Sequence, residues 1–232
     1  MIRYTLFTTT WLLFLVTSGF LQAQTKTLSE GMHRIEITLE KKDADNWRSV
    51  NPLLVFEKND LVRFRIRTNF SGYLYVMNHA TSGSYSLLFP QPQSANENRI
   101  LANTEYLIPE ANAQFQITGT PGHEIIYWLI SPVPLGGSGS MTEFPLPRAN
   151  RPEPQLLPRC DDEIFRARGE CVDLSAGPAR ISGSSELPDN LADHFNATSR
   201  DLAITSQDKS VVVSSAVPLR DPIIYEFRLA HR

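Results

Sequence analysis

The five histidines of this 232-residue chain are the residues best suited to chemistry, because imidazole serves both in metal sites and in acid–base catalysis. The pair His123-Glu124 begins like the zinc-protease motif H-E-x-x-H, but Tyr127 stands at the last position of the motif. No histidine has another four residues away, or a cysteine or acid at ligand spacing: His33, His79, His123, His194 and His231. We therefore predict no metal site and no cofactor.

Nucleophiles are also poorly placed for catalysis. The serines of "GGSGS" (residues 136–140) do not form the G-x-S-x-G turn of a nucleophile elbow. Carboxylates for sugar hydrolysis must face each other across a cleft, whereas Asp161 and Asp162 are adjacent in sequence. We predict no catalytic residues and no enzymatic activity. A hydrolase triad assembled from distant residues stays open as the least favoured alternative, because triads are defined by geometry.

The two cysteines favour a disulfide over a reactive thiol. Cys160 and Cys171 are separated by "DDEIFRARGE", which is long enough to turn back on itself. An oxidising compartment makes a bond between them the expected outcome.

The N-terminus predicts such a compartment. Residues 1–23 combine Arg3, an apolar run over 11–16 and small residues up to Ala23, which is the layout of a secretory signal peptide. This run is too short for a membrane-spanning helix. The chain is therefore expected to be exported, periplasmic or extracellular, without a membrane span after signal removal. Its formal charge is −3, and its Lys and Arg residues form no dense cluster that could bind nucleic acid.

Alternating apolar residues then predict strands with one buried face. Ile35, Ile37 and Leu39 alternate with polar residues, and so do the apolar residues of "LVRFRIRT" (residues 61–68). The second pattern places Arg63, Arg65 and Arg67 on one face. We interpret this arginine row as a solvated outer face, with an anion-binding strip as the alternative.

The stretch "SGYLYVMNHATSGSYSLLFPQ" (residues 71–91) predicts a β-hairpin, since Ser and Gly in its middle favour a turn. Tyr73, Tyr75 and Met77 share one face, and Leu74 and Val76 share the other. Both faces are apolar enough to be covered, so the tyrosines are interpreted as core or half-core. The alternative is a ligand platform of stacked aromatic rings: Tyr73, Tyr75, Tyr85, Tyr106 and Trp128.

At least seven strands at short spacing predict an all-β, immunoglobulin-like antiparallel β-sandwich. Residues 24–232 are expected to form one such domain, in which "EIIYWLI" (residues 124–130) is a central strand. A long Pro/Gly-rich, disulfide-containing excursion spans 132–205 and contains one short helix behind Pro188. Residues 208–230 are expected to rejoin the sandwich, because their last strand is too apolar to stand alone.

The central part of the chain resembles a bacterial family catalogued as a domain of unknown function, number 4384. The resemblance covers residues 53–135. The residues that carry it best are Gly72, Phe89, Pro90, Asn98, Pro109, Gly122 and Glu124. It implies a compact β module in an exported or surface-associated protein, with no activity attached.

Two functions follow as hypotheses. The first is an exported, non-catalytic module that binds a protein or a cell-envelope component, with the excursion reaching the partner. The second is a small-molecule or carbohydrate-binding module that uses the aromatic platform. Exposure of the rings separates them, because a stacking platform needs at least two rings side by side in solvent.

Overall fold

The computed structural model describes residues 33–90, 98–110, 113–135, 145–148, 157–167, 169–207 and 209–232. The predicted signal peptide and the "GGSGS" run lie outside these residues. The described residues form thirteen strands: β1 (His33–Asp43), β2 (Asn46–Ser49), β3 (Leu61–Thr68), β4 (Gly72–His79), β5 (Tyr85–Phe89), β6 (Arg99–Ile100), β7 (Glu105–Ile108), β8 (Phe115–Gln116), β9 (Gly122–Ser131), β10 (Gly177–Ala179), β11 (Ala203–Gln207), β12 (Ser210–Ser215) and β13 (Ile223–His231).

These strands make two antiparallel sheets. The first sheet has the order β11-β12-β1-β3-β7, with β2 beside β1 and β8 beside β3. The second has the order β10-β13-β9-β4-β5, with β6 beside β4. The predicted all-β antiparallel sandwich is confirmed.

The main hydrophobic core fills the space between the sheets. Alternate residues of β1 and β3 are buried, as the period of two predicts. Phe64 of the first sheet meets Trp128 and Phe227 of the second edge to face, each with a ring-centre distance of 5.4 Å. This interlocking of aromatic rings fixes how the two sheets face each other.

Strand β9 lies in the middle of the second sheet. It pairs with β4 on one side and with β13 on the other, from Ile130 opposite Ile223 to Gly122 opposite His231. The segment predicted as a central strand is therefore central. Residues 223–231 lie in the same sheet as the predicted hairpin, which forms β4 and β5.

A second hydrophobic cluster covers the outer face of the second sheet. Tyr75, Met77 and Tyr127 point away from the main core and pack under Leu187 and Leu191. The part of the excursion around residues 181–195 is thus folded back onto the sheet. Both faces of β4 are covered, as the apolar pattern of the hairpin indicates.

The short helix predicted behind Pro188 is confirmed as α2 (Asp189–Ala192). The expectation of a single helix is wrong, because a 3₁₀ turn at Ser184–Glu186 and a further helix, α3 (Ala197–Arg200), flank it. Helix α1 (Glu163–Ala167) lies between the cysteines. Strand β10 lies inside residues 132–205, where no strand was predicted, and β11 begins there and continues to Gln207. Strand β11 is an exposed edge, so its sequence lacks the alternation that burial of one face imposes.

The arginine row lies on the outer face of the first sheet, where it meets acidic residues. Glu40 is buried and accepts hydrogen bonds from both Arg63 and Arg65. Arg67 lies in register between Glu36 on β1 and Glu105 on β7. The row is therefore balanced by carboxylates of neighbouring strands, which supports a solvated face over an anion-binding strip.

In the described parts of the chain, the helices are all too short to cross a membrane.

Candidate functional site

The disulfide closes a loop at one end of the sandwich. Cys160 and Cys171 are bonded, with their Cα atoms 4.8 Å apart, so the predicted bond is confirmed. We define the described residues 157–167 and 169–175 as the disulfide loop. Its backbone is tied to the chain before β3, because Val55 N–H donates to the Cys171 carbonyl at 2.8 Å and Asp173 N–H donates to the Leu53 carbonyl at 2.9 Å.

The inside of the disulfide loop is well ordered by its own polar groups. Asp162 caps α1 by accepting hydrogen bonds from the N–H groups of Ile164 and Phe165, at 2.8 and 3.2 Å. The guanidinium of Arg166 donates to the Cys160 carbonyl. Together with the covalent bond, these contacts hold the loop in one shape.

Asp173 fixes the base of the disulfide loop. Its carboxylate accepts hydrogen bonds from Arg159 N–H at 2.8 Å and from the N–H and hydroxyl of Ser175 at 2.8 and 2.5 Å. Burial opposes ionisation of Asp173, but these hydrogen bonds and nearby His123 outweigh it and hold the pKa of the carboxyl below its ordinary value. A charged Asp173 therefore closes the loop onto itself.

Three residue types of a hydrolase meet beside Asp173. The Ser175 hydroxyl lies 3.3 Å from Nε2 of His123, and Asp173 Oδ2 lies 3.4 Å from the same nitrogen. In a catalytic triad the acid and the serine contact opposite nitrogens of the imidazole. Here they share one nitrogen, and the serine donates directly to the acid. This arrangement differs from the order of a catalytic triad.

The outer surface of the disulfide loop is apolar at three points. Leu157, Ile164 and Leu174 are exposed to 65%, 65% and 67% of their surface. Exposed apolar residues that are scattered singly are common on proteins, whereas contiguous exposed patches mark interaction sites.

Glu124 is the centre of a second polar cluster at the same end of the sandwich. It accepts hydrogen bonds from Asn78 Nδ2 at 2.8 Å and from the N–H and hydroxyl of Thr81 at 3.3 and 3.4 Å. Nε2 of His231 lies 3.4 Å from its Oε1. Burial opposes the charge, but the nearby His231 imidazole and the hydrogen bonds from Asn78 and Thr81 outweigh it and lower the pKa of Glu124. Glu124 thus links β9 to β4, to the hairpin turn and to β13.

The other residues that carry the family resemblance lie at positions where the packing or pairing of strands constrains them. A Cβ at Gly72 would lie 2.8 Å from the carbonyl oxygen of Ser131, so only glycine allows β4 to approach β9 this closely. The Asn98 carbonyl accepts a hydrogen bond from Leu74 N–H. The remaining four lie at strand ends, three of them buried and Pro90 half-buried: Phe89, Pro90, Pro109 and Gly122.

The five aromatic residues of the platform hypothesis are not brought together. Trp128 is fully buried in the main core and Tyr75 is buried under the excursion. Tyr106 packs against the main core and its hydroxyl accepts from Leu101 N–H at 2.8 Å, while Tyr85 stacks on His79. Tyr73 is half-buried in the outer cluster. The structure thus shows no pair of these rings side by side in solvent within its described residues.

Sequence reasoning missed the residues of this end of the sandwich other than the cysteines and Glu124. His123 and Asp173 are 50 positions apart in the sequence, and Asn78 and His231 are further apart still. A usable signal was present only for Ile164, an aliphatic residue in the otherwise mostly charged segment between the two cysteines. Among the described residues, no group of three or more His, Cys, Asp or Glu is placed to hold a metal ion.

Comparison with known proteins identifies one part of the chain. Residues 55–134 match the family model described as domain of unknown function (DUF4384), which confirms the resemblance predicted over residues 53–135. No curated protein and no solved structure matches the chain. The matched residues include Gly72 and Glu124, whereas the disulfide loop lies beyond them.

Proposed function

We propose that this chain is an exported, non-catalytic β-sandwich module that binds a cell-envelope partner through the disulfide loop, and that this partner is a protein. The observation that carries the proposal is the exposure of Leu157, Ile164 and Leu174 on a loop held rigid by a disulfide and a capped helix. The proposed contact surface is thus the disulfide loop, which is part of the excursion that the sequence analysis expected to reach the partner.

Burial of these side chains supplies a useful amount of binding energy. Full burial of a Leu or Ile side chain contributes about 1.5 to 3 kcal/mol. Because the three are about two-thirds exposed, a partner that covers them gains about 3 to 6 kcal/mol before the costs of association. Rigidity lowers those costs, since little loop entropy is lost on binding.

Two further features support an exported binding module over an enzyme. The disulfide suits an oxidising compartment, in agreement with the predicted signal peptide. Ser175, His123 and Asp173 meet without the order that a proton relay requires. Their hydrogen bonds hold the base of the disulfide loop in place. The loop in turn presents its exposed apolar side chains to the partner.

The test compares partner capture by matched variants of the mature protein. Biotinylated protein is incubated with an envelope extract, crosslinked and recovered, and the captured proteins are identified by mass spectrometry. The interface variant combines Leu157→Ser, Ile164→Ser and Leu174→Ser. The control is Val217→Ser, which removes an exposed aliphatic side chain in a different segment.

We expect one or more proteins to be captured by the wild type and the control and to be lost with the interface variant. Melting curves of all three proteins establish that the variants are folded. Equal capture by all three, or loss with the control as well, would overturn the disulfide loop as the binding surface.

A further inference from the structure

The outer face of the second sheet is only partly covered. Leu187 and Leu191 pack over Tyr75 towards one end of the strands, and Ala176 packs against Ala230 towards the other end. Between these covered regions, two rows of residues follow the strand register across β13, β9, β4 and β5, and we call these rows the open strip. The first row is Glu226, Tyr127, Met77 and Leu87, and the second row is Arg228, Ile125, His79 and Tyr85. All members of the second row are half-buried, so a ligand can reach the open strip from that side.

Glu226 is a buried carboxylate with one unused oxygen. Its side chain is 7% exposed, and Nε and Nη2 of Arg228 both donate to Oε1, at 2.7 and 2.5 Å. Oε2 of Glu226 accepts no hydrogen bond from another described residue. Buried polar atoms in proteins nearly always have a partner, because burial without one is costly. Oε2 is therefore an acceptor that a ligand can use.

The hydroxyl of Tyr127 is a second unused group beside Glu226. Tyr127 stands directly opposite Glu226, is 4% exposed, and its hydroxyl has no hydrogen-bond partner in the described parts of the chain. Within those parts, the side-chain atoms that are both sealed from solvent and unpartnered lie elsewhere, so the Tyr127 hydroxyl and Glu226 Oε2 reach solvent. Burial and the charge of Glu226 raise the pKa of Tyr127, and Tyr85 is close enough to add to this effect. The open strip thus brings a carboxylate oxygen together with tyrosine hydroxyls.

The charge around these acceptors is negative overall. Burial raises the pKa of Glu226, Arg228 offsets this rise only in part, and the exposed carboxylate of Glu186 adds to it. Two carboxylates therefore act against one guanidinium. A ligand cation would reduce the repulsion between the carboxylates, whereas an anion would increase it. The chemistry of the open strip thus favours a positively charged hydrogen-bond donor.

We propose that the open strip binds a lysine side chain of a peptide or protein ligand, with the ammonium group between Glu226 Oε2 and the Tyr127 hydroxyl. An ammonium has three donors and no acceptor, which suits a carboxylate oxygen and a phenol oxygen. Its aliphatic stem can pack on the half-buried side chains of Ile125 and Tyr85. Arginine fits less well, because its planar fork binds both oxygens of a carboxylate and Arg228 already occupies Oε1. The open strip is separate from the exposed aliphatic residues of the disulfide loop, so this inference does not depend on binding by that loop.

Nuclear magnetic resonance titration of the isotope-labelled mature protein tests the inference. The probe is lysine capped as N-acetyl-lysine N-methylamide. One comparison probe carries an acetylated side-chain amine, which removes the charge, and the other is the capped arginine. We expect the lysine probe to shift the amide resonances of β9 and β13 around Tyr127 and Glu226 in a saturable way. The acetylated probe should bind at least about tenfold more weakly, because a charged donor is lost, and the arginine probe should also bind more weakly than lysine.

Matched variants locate the binding site. Glu226→Gln should raise the Kd of the lysine probe at least about tenfold, and Tyr127→Phe should raise it about fivefold through loss of one hydrogen bond. Tyr225→Phe is the control for the hydroxyl, because it removes a buried tyrosine hydroxyl that lies in the main core. Glu57→Gln is the control for the charge, because Glu57 pairs with Arg232 at the surface. Both controls should leave the Kd unchanged.

Melting curves establish which variants are folded, and Tyr127→Phe decides the test if Glu226→Gln does not fold. The proposal would be overturned by any of four results. These are no saturable shift with the lysine probe, equal or tighter binding of a comparison probe, unchanged binding to Tyr127→Phe, and loss of binding to Tyr225→Phe.

Discussion

Replacement of Glu124 by Gln is expected to destabilise the protein and to change how its stability depends on pH. The carboxylate is 14% exposed and holds Asn78, Thr81 and His231 together at one end of the sandwich. Gln keeps one acceptor oxygen but loses the charge, and its new amide group faces donors. Hydrogen bonds to charged groups contribute about 1 kcal/mol more than neutral ones, so loss of charge at Asn78 and Thr81 should cost about 2 kcal/mol at neutral pH.

The sign of the pH effect follows from the lowered pKa of Glu124. A carboxyl whose pKa is lower in the folded state adds stability above its unfolded pKa, and this stability is lost as the pH falls through the folded value. The difference in unfolding free energy between wild type and Glu124→Gln should therefore shrink on acidification.

Urea unfolding followed by tryptophan fluorescence, at pH 7 and at about pH 3.5, below the ordinary Glu pKa, measures this difference. The matched control is Glu57→Gln, because Glu57 is half exposed and pairs only at the surface with Arg232. That change should cost at most about 0.5 kcal/mol. An equally small cost for Glu124→Gln at pH 7, or a difference that does not vary with pH, would refute the proposed role of Glu124.

Four other outcomes are expected. Truncation after Pro218 removes four buried side chains on one face of β13, which contribute about 6 to 12 kcal/mol of stability. The product should therefore be insoluble or should melt without cooperativity. A cooperative melt near the full-length temperature would contradict this. The Cys160→Ala/Cys171→Ala double variant should lose about 3 kcal/mol of unfolding free energy, as judged by urea titration, because the bond closes a loop of sequence separation 11. Tyr225→Phe should leave the unfolding free energy unchanged or raise it by up to about 1 kcal/mol, since the buried hydroxyl has no hydrogen-bond partner among the described residues. A fall in unfolding free energy of more than about 1 kcal/mol would reveal a partner. A fluorophosphonate probe should leave Ser175 unlabelled, as mass spectrometry of the treated protein would establish, whereas labelling there would support an active serine.

Periodicity made much of the sandwich predictable. Strands β1, β3 and β9 bury one or both faces, and burial selects apolar residues at positions that can be read from the sequence. The disulfide followed from the predicted compartment and from the presence of two cysteines. The same logic explains why β10 and β11 were not predicted. Strand β11 is exposed at nearly all of its residues, and β10 is only three residues long.

The candidate site was less predictable because it depends on long-range contacts. Glu124 could be identified from the family resemblance, but its partners Asn78 and His231 come from other strands and are defined only by register. Trp128 shows the same limit. A tryptophan in an apolar run can belong to the core or to an exposed ligand platform, and only its packing against the opposing sheet places it in the core. Local pattern thus predicts which strands exist, and strand pairing decides which side chains meet.

The place of β13 beside β9 has a consequence for the order of folding. Strand β9 can complete its hydrogen bonding only after residues 223–231 have been synthesised, about ninety residues after β9 itself. Closure of so long a loop before contacts form slows folding, because chain entropy must be lost first. The nascent chain therefore keeps an unfinished sheet until synthesis is nearly complete. That delay suits a protein that crosses a membrane before it folds, as the predicted signal peptide requires.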